Sequence, residues 1–237
     1  MRVLEFNIAK GYYSFEFSDL ETGMHAHPAL EVIVAITGSF GLQTAETIHE
    51  DLSIAIIDDN TCHALRAGNV KVKLLMIERV DAQVYDFFEQ CGIRLVQGVF
   101  TCKNIEKERC LWEAIINYLS NTSFKPNYDL RVMKCLALLD SGDLAYHSML
   151  SILQDHVHLS ESRLSHLFKE NIGVSIKKYL VWSRLKLAVD AVLCHGDSLS
   201  SAAHRSGFFD QAHLSKAFKE MLGIHPSAAY NSRTLQG

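Results

Sequence analysis

No stretch of this sequence is apolar for long enough to cross a membrane as a helix. Its longest apolar runs lie in short segments such as 31–37 and 52–57, against the roughly 20 residues that a helical span needs. The opening MRVLEFNIAKGYY lacks the charged-then-apolar pattern of a secretory leader. Six cysteines (Cys62, Cys91, Cys102, Cys110, Cys135 and Cys194) are scattered without a C-x-x-C pair. These absences predict a cytoplasmic chain with no membrane partner, its thiols reduced and buried as small hydrophobes. A strong excess of either charge is missing too. The net charge is −4, so composition alone carries no nucleic-acid claim.

What is present suffices for a sizeable core. Hydrophobic residues make up 48% of the 237, which argues against a disordered chain, and the length allows one large domain or two ordinary ones. Charge is divided unevenly. Residues 1–145 carry 13 Lys+Arg against 20 Asp+Glu, whereas residues 146–237 carry 10 against 7. An acidic front and a basic back suggest two domains, the back being the candidate for a polyanion partner. Segments 12–17, 31–37, 52–57 and 70–78 are short, β-rich and punctuated by Gly, Asn and Asp, the pattern of a small sandwich or barrel. From Asp81 the period changes. Segments 81–90, 104–120 and 128–139 hold apolar residues at helical spacing, as at Leu111, Ile115, Ile116 and Leu119. The stretch SGDLAYH, 141–147, reads as a linker, and the chain beyond it as helical.

That last part spells one helix twice. LSHLFKENIG at 164–173 returns as LSKAFKEMLG at 214–223, with six of ten positions identical. At 100° per residue, Leu164, Leu167 and Phe168 share a face, as do Leu214, Ala217, Phe218 and Met221. Opposite them stand Ser162, His166 and Lys169 in the first copy, and Ala212, Lys216 and Lys219 in the second. These outer faces are short, polar or cationic with no acid at their centres, which suits a helix laid in a DNA major groove. A shorter helix and a tight turn precede each copy, with Ser160 and Asp210 as N-caps and Gly207 as a left-handed corner. Residues 175–194 read as one connecting helix about 30 Å long, close to one DNA turn.

The stretches LSESRLSHLFKENIGVSIKKYLVWSRLKLAV and SLSSAAHRSGFFDQAHLSKAFKEMLGIHPSAAY resemble the DNA-binding domain of AraC/XylS-type transcription regulators over about ninety residues. The chain departs from the family pattern at Gln154 and Asp155 and in its ending P-S-A-A-Y-N. The resemblance implies base-facing roles for Ser162, Ser165, His166, Gln211, Ala212, His213 and Lys216. Lys169 and Lys219 then suit phosphates, as do Lys177, Lys178 and Arg184 on the connecting helix.

The front half carries HAHPALEVIVAITG, in which His25, His27 and Glu31 stand as H-x-H-x3-E, and His63 follows. Residues two apart on a strand point the same way, so the histidines can converge inside a barrel. Three imidazoles and a carboxylate form a first shell for a divalent transition metal such as zinc. This pattern resembles a cupin, although IIDDNTCHAL lacks the usual Pro-x-Gly of the second motif. Two readings stay open: a metal centre, and histidines that line an organic-ligand pocket or remain as remnants.

The expectation is an α+β two-domain chain. Residues 1–80 form a cupin-like sensor barrel, 81–145 a helical dimerisation or linker segment, and 146–237 an all-α domain with two helix-turn-helix units. It is expected to be a transcription regulator rather than an enzyme. Its partners would be double-stranded DNA, a small-molecule or metal effector, a second copy as a homodimer and, for an activator, RNA polymerase. The alternative is a metal-dependent cupin enzyme fused to a DNA-binding domain.

Overall fold

The computed structural model describes residues 1–78, 82–104, 106–122, 127–142 and 144–230. Strands β1 (Arg2–Asn7), β2 (Tyr12–Glu21), β3 (Leu30–Ala35), β4 (Phe40–Thr44), β5 (Ile48–Leu52), β6 (Ile54–Ile57) and β7 (His63–Ile77) come first. Helix α1 (Ala82–Gln90), strand β8 (Val99–Cys102) and helix α2 (Glu106–Asn121) follow. All pairings are antiparallel, and the 15-residue β7 is long enough to pair with β2, β3 and β4. Among the described residues the path β1-β2-β7-β3-β6-β8 has two ends, with β4 and β5 attached to β7. The expected closed barrel is therefore an open eight-stranded sheet. Its end strands are short: half-exposed β1 on one side and four-residue β8 on the other.

Register decides what each face of this sheet carries. Val32 lies opposite Ile56 and Leu75, whereas Glu31 lies opposite Ile57 and Met76. Side chains alternate along a strand, so Leu30, Val32 and Val34 join Ile54, Ile56, Leu75 and Ile77 on one face. That face packs on Val84 and Phe88 of α1 and on Trp112, Ile115 and Leu119 of α2. Glu31, Ile33 and Ala35 turn to the other face, and every residue of β3 is buried. Two-sided burial accounts for its unbroken LEVIVA.

The helices of the second half are α3 (Leu130–Asp140), α4 (Met149–Val157), α5 (Glu161–Ile172), α6 (Ile176–His195), α7 (Leu199–Arg205), α8 (Gln211–Leu222) and α9 (Pro226–Ala229). The chain divides into two compact units, one of Met1–Pro126 with Leu222–Gly237 and one of Asn127–Met221. The division falls well before residue 146 because α3 packs on α4 and α6. Its face of Val132, Cys135, Leu136 and Leu139 is fully buried. Ser183 Oγ donates to Leu139 O at 3.0 Å and to Asp140 at 2.9 Å, and Lys186 Nζ lies 3.4 Å from Asp140. The expected 80/81 boundary lies outside the described residues. Helix α6 is buried nearly all round, with Ser175 capping its first turn and Gly196 its last.

The cysteine expectation needs correction. Of the six thiols only Cys135 is buried; Cys62, Cys91, Cys110 and Cys194 are exposed. Cys62, Cys91 and Cys194 sit in a loop or at a helix end, where no core is at hand to cover them. No helix among the described residues is long and apolar enough to cross a membrane.

Candidate functional site

Four side chains converge on the face of the sheet turned away from α1 and α2. Glu31 projects from β3, and His25 and His27 come from the segment just before it. His63 opens β7 and pairs with His25 in an antiparallel bridge, with both backbone bonds at 2.9 Å. The four ligand atoms lie within 4.8 Å of one another, and none of the four residues is more than 6% exposed. Glu31 Oε2 is 2.8 Å from His63 Nε2 and 3.3 Å from His27 Nε2. The far side of each ring is equally fixed. His25 Nδ1 meets Gly23 O at 2.8 Å, His27 Nδ1 meets Ala29 O at 3.0 Å, and His63 Nδ1 meets Thr61 O at 2.8 Å. A carbonyl only accepts, so each Nδ1 carries a proton and each neutral ring keeps its lone pair on Nε2. Metal-binding histidines are oriented by the same device.

Burial pushes His25 down to about 3, with the charges of His63 and His27 acting in the same direction, so this imidazole is neutral near pH 7. Burial opposes ionisation of Glu31, but the adjoining His27 and His63 rings outweigh it and hold the carboxyl well below its usual range. Burial likewise lowers His63, and there the bond and charge of Glu31 prevail and raise it. With Nδ1 committed to Thr61, neutral His63 would set a lone pair 2.8 Å from a carboxylate oxygen. Two acceptors hold that spacing only with positive charge between them, supplied by a proton on Nε2 or by a cation. Three imidazole nitrogens and one carboxylate fit a divalent transition metal. His25, His27, Glu31 and His63 would hold it.

The second candidate surface is on the repeated helices. Leu164, Phe168 and Ile172 of α5, and Leu214, Ala217, Phe218 and Met221 of α8, are buried. Ser162, Ser165, His166 and Lys169 on α5 are exposed, as are Gln211, Ala212, His213, Lys216 and Lys219 on α8. Between α4 and α5 the chain turns at His158, whose φ of 54° is left-handed. Ser160 occupies the N-cap of α5 without a side-chain cap bond, whereas Asp210 caps α8 by accepting from His213 N at 2.7 Å. Gly207, at φ 81°, makes the corner after α7. The His213 ring stands edge-on to Phe208 with centroids 5.2 Å apart, so its ring is held in place beside the turn. Two of these side chains have acidic neighbours one turn on: His166 lies 3.3 Å from Glu170 and Lys216 3.8 Å from Glu220. Both pairs are exposed and weak.

One residue expected to face phosphate does not. Arg184 is buried and donates to Leu144 O at 2.8 Å. Its guanidinium lies so near Gly207 that a Cβ there would stand 3.0 Å from Nε. On the buried side of this helix, a cation is a packing element. Lys177 remains exposed, near the Tyr146 ring, and Lys178 is half-buried. Sequence reasoning also missed the carbonyls of Gly23, Ala29 and Thr61 that orient the three imidazoles. A backbone acceptor leaves no residue-type signal.

The segment that bears the second surface is similar to known proteins. Residues 153–232 match the family described as helix-turn-helix domain. The arabinose operon regulatory protein of Salmonella typhimurium is 30% identical over 107 residues, 45% of this chain and 38% of that protein. Its Escherichia coli K12 counterpart is 32% identical over 108 residues, 45% of this chain and 37% of that protein. The chain therefore covers less than two-fifths of either relative's length. Among solved structures, an apo variant of ToxT from Vibrio cholerae strain SCE256 superposes with a TM-score of 0.62 at 13% identity, covering 92% of this chain and 96% of that one. At that identity the likeness shows the fold alone, a β-rich first half and a helical second half.

Proposed function

From the place of its C-terminal segment among the AraC-type helix-turn-helix regulators, we propose that the chain is a sequence-specific, effector-responsive regulator of transcription. The observation that carries this reading is the outward display of nine residues on α5 and α8, backed by two buried apolar stripes. Each helix is the second of a helix-turn-helix unit, and α6 sets their spacing. In the groove Lys216 donates to guanine O6 or N7, Gln211 pairs with adenine, Ala212 meets a thymine methyl, and His166 donates to an acceptor such as guanine N7. Lys169 and Lys219 contact phosphates.

The sheet unit is the cupin-like sensor. Its effector site is the cluster of His25, His27, Glu31 and His63, with a divalent metal such as zinc as the ligand its donors fit. A buried cluster with no face open to a substrate supports sensing over a metal-dependent enzyme. An effector acts only through different affinity for DNA-competent and incompetent arrangements. ToxT has been solved with an unsaturated fatty acid bound, which supports effector binding on this fold. A homodimer would use surfaces other than the buried faces of α2 and α3, which pack within the chain. Contact with RNA polymerase belongs to the proposal only for an activator.

The test is binding of the full chain, and of a fragment from residue 127 that retains α3, to a randomised duplex library and to DNA upstream of its own gene. Selective binding that weakens steeply with salt is expected. Sequence-blind binding by folded protein sinks the reading. Elemental analysis of untagged protein purified without chelator should find about one equivalent of metal, reduced in His27→Ala.

A further inference from the structure

The four-residue cluster is closed on every side, since none of its members is more than 6% exposed. An ion reaches it only if a wall moves. Strands β3 and β7 are held in ladders, and the segment that carries His25 and His27 is tied to β7 by Thr22 N donating to Leu65 O at 3.0 Å and by the His25–His63 bridge. The connection between β6 and β7 forms the remaining wall. Residues 58–62 belong to no helix or strand, Cys62 in it is exposed, and Asn60 takes a left-handed φ of 57°. Two bonds fasten this connection to the cluster: Asn60 N donates to His27 O at 2.8 Å, and His63 Nδ1 donates to Thr61 O at 2.8 Å. Two others fasten it elsewhere. Asp58 N donates to Gly98 O at 2.8 Å, and the Tyr85 hydroxyl of α1 donates to Asp58 Oδ1 at 2.6 Å.

The Tyr85 bond differs from the rest. It is short, it joins a side chain to a side chain, and a carboxylate acceptor makes such a bond about twice as strong as a neutral one. Its anchor is firm, since Val84 and Phe88 on either side are each 1% exposed in the core, and Phe87 stacks on Tyr118 at 4.3 Å. On its far side the connection leans on Gly98, where a Cβ would stand 2.6 Å from Thr61 Oγ1.

We propose that residues 58–62 are the lid of the His/Glu site, and that the Tyr85–Asp58 bond is a latch setting how fast a divalent cation enters and leaves. This rests on reading the cluster as a metal centre. The latch is closed with or without the ion and is broken only while the lid is open. Its removal therefore speeds entry and exit together and leaves the equilibrium affinity nearly unchanged, which separates Tyr85 and Asp58 from the ligands.

The experiment loads full-length chain with zinc, challenges it with excess chelator, and follows release for wild type, Tyr85→Phe and Asp58→Asn. Tyr85→Phe should release zinc about 10–150-fold faster, as expected for losing one hydrogen bond to a charged group, with unchanged affinity. Asp58→Asn keeps an acceptor oxygen and should fall between. Unchanged release in Tyr85→Phe overturns the latch, as does a loss of affinity that matches the faster release. Should wild type take up no zinc, the metal reading itself fails. Hydrogen exchange at the Asn60 and Thr61 amides of metal-free protein then decides the latch: faster in Tyr85→Phe supports it, and an unchanged rate overturns it.

Discussion

The His/Glu cluster and the outer faces of α5 and α8 use polar side chains in opposite ways. In the cluster every ligating side chain is buried and is oriented by a backbone carbonyl or a neighbouring strand. On the two helices the polar residues are exposed, and their contacts are weak pairs one turn away and the edge-on packing of His213 on Phe208. The first arrangement is nearly complete within the chain and lacks one positive charge. The second becomes complete only against a partner. Substitutions in the cluster should therefore register in folding, and those on the helices in binding.

The sharpest way to break that contrast is to remove the carboxylate at the centre of the cluster. Glu31→Ala deletes one member of a buried pair and leaves the other without compensation, which costs about 3 kcal/mol. Lys219→Ala, on an exposed helix face, should stay within about 0.5 kcal/mol of wild type in the same denaturant unfolding. Equal stability of the two variants would mean that the cluster is no more than a set of side chains sharing a corner.

The two regions also differ in how far they could be read from the chain. The repeated helix was legible because L-S-x-x-F-K fixes an apolar stripe at helical spacing, and the buried Leu164, Phe168, Leu214 and Phe218 are where that stripe predicts. The cluster was legible as residue types, H-x-H-x3-E and a distant His63, since few other roles gather three imidazoles about an acid. The strands were harder. RVLEFN of β1 and VFTC of β8 are end strands half in contact with solvent, too short or too exposed for a clean alternation. Segment 52–57 read as one strand is the end of β5 and all of β6, with Ser53 between them. Arg184 was misread because a buried cation and a phosphate-binding one are spelled alike. Only its place on the buried side of its helix tells them apart.

Within the second region, a pair of lysines one turn apart sharpens the comparison further. Lys216→Ala should relax preference at one base position and cost about 1–3 kcal/mol of binding on the preferred site, whereas Lys219→Ala should weaken every sequence alike and flatten the salt slope by about one unit. Binding to a randomised operator library at several salt concentrations separates the two outcomes. Uniform loss from both variants would make Lys216 a phosphate contact, and the outer face of α8 would then read shape rather than sequence.

The smallest expected effect tests whether one positive charge is what the cluster lacks. In metal-free protein, His25 is held near 3 against 6.5 in an unfolded chain. Acidification below about 6.5 therefore costs stability, because the unfolded state takes up a proton that folded His25 refuses. Glu31, held below 4.5, adds to that loss as pH falls further. His63 works the other way. Its folded value is raised, so its contribution is fully present below 6.5 and is lost as pH rises through the folded value. The cluster's contribution to the stability of metal-free protein should peak near pH 6.5, and only its alkaline limb should depend on His63. One proton limits that limb to about 1.4 kcal/mol per pH unit. Zinc supplies the missing charge to an unprotonated Nε2, so saturating metal should abolish the alkaline decline and leave the acid one, where protons displace the ion. Denaturant unfolding between pH 5 and 9, with and without zinc, reads this directly. An alkaline decline that persists with bound zinc would mean that the metal does not replace the His63 proton beside Glu31.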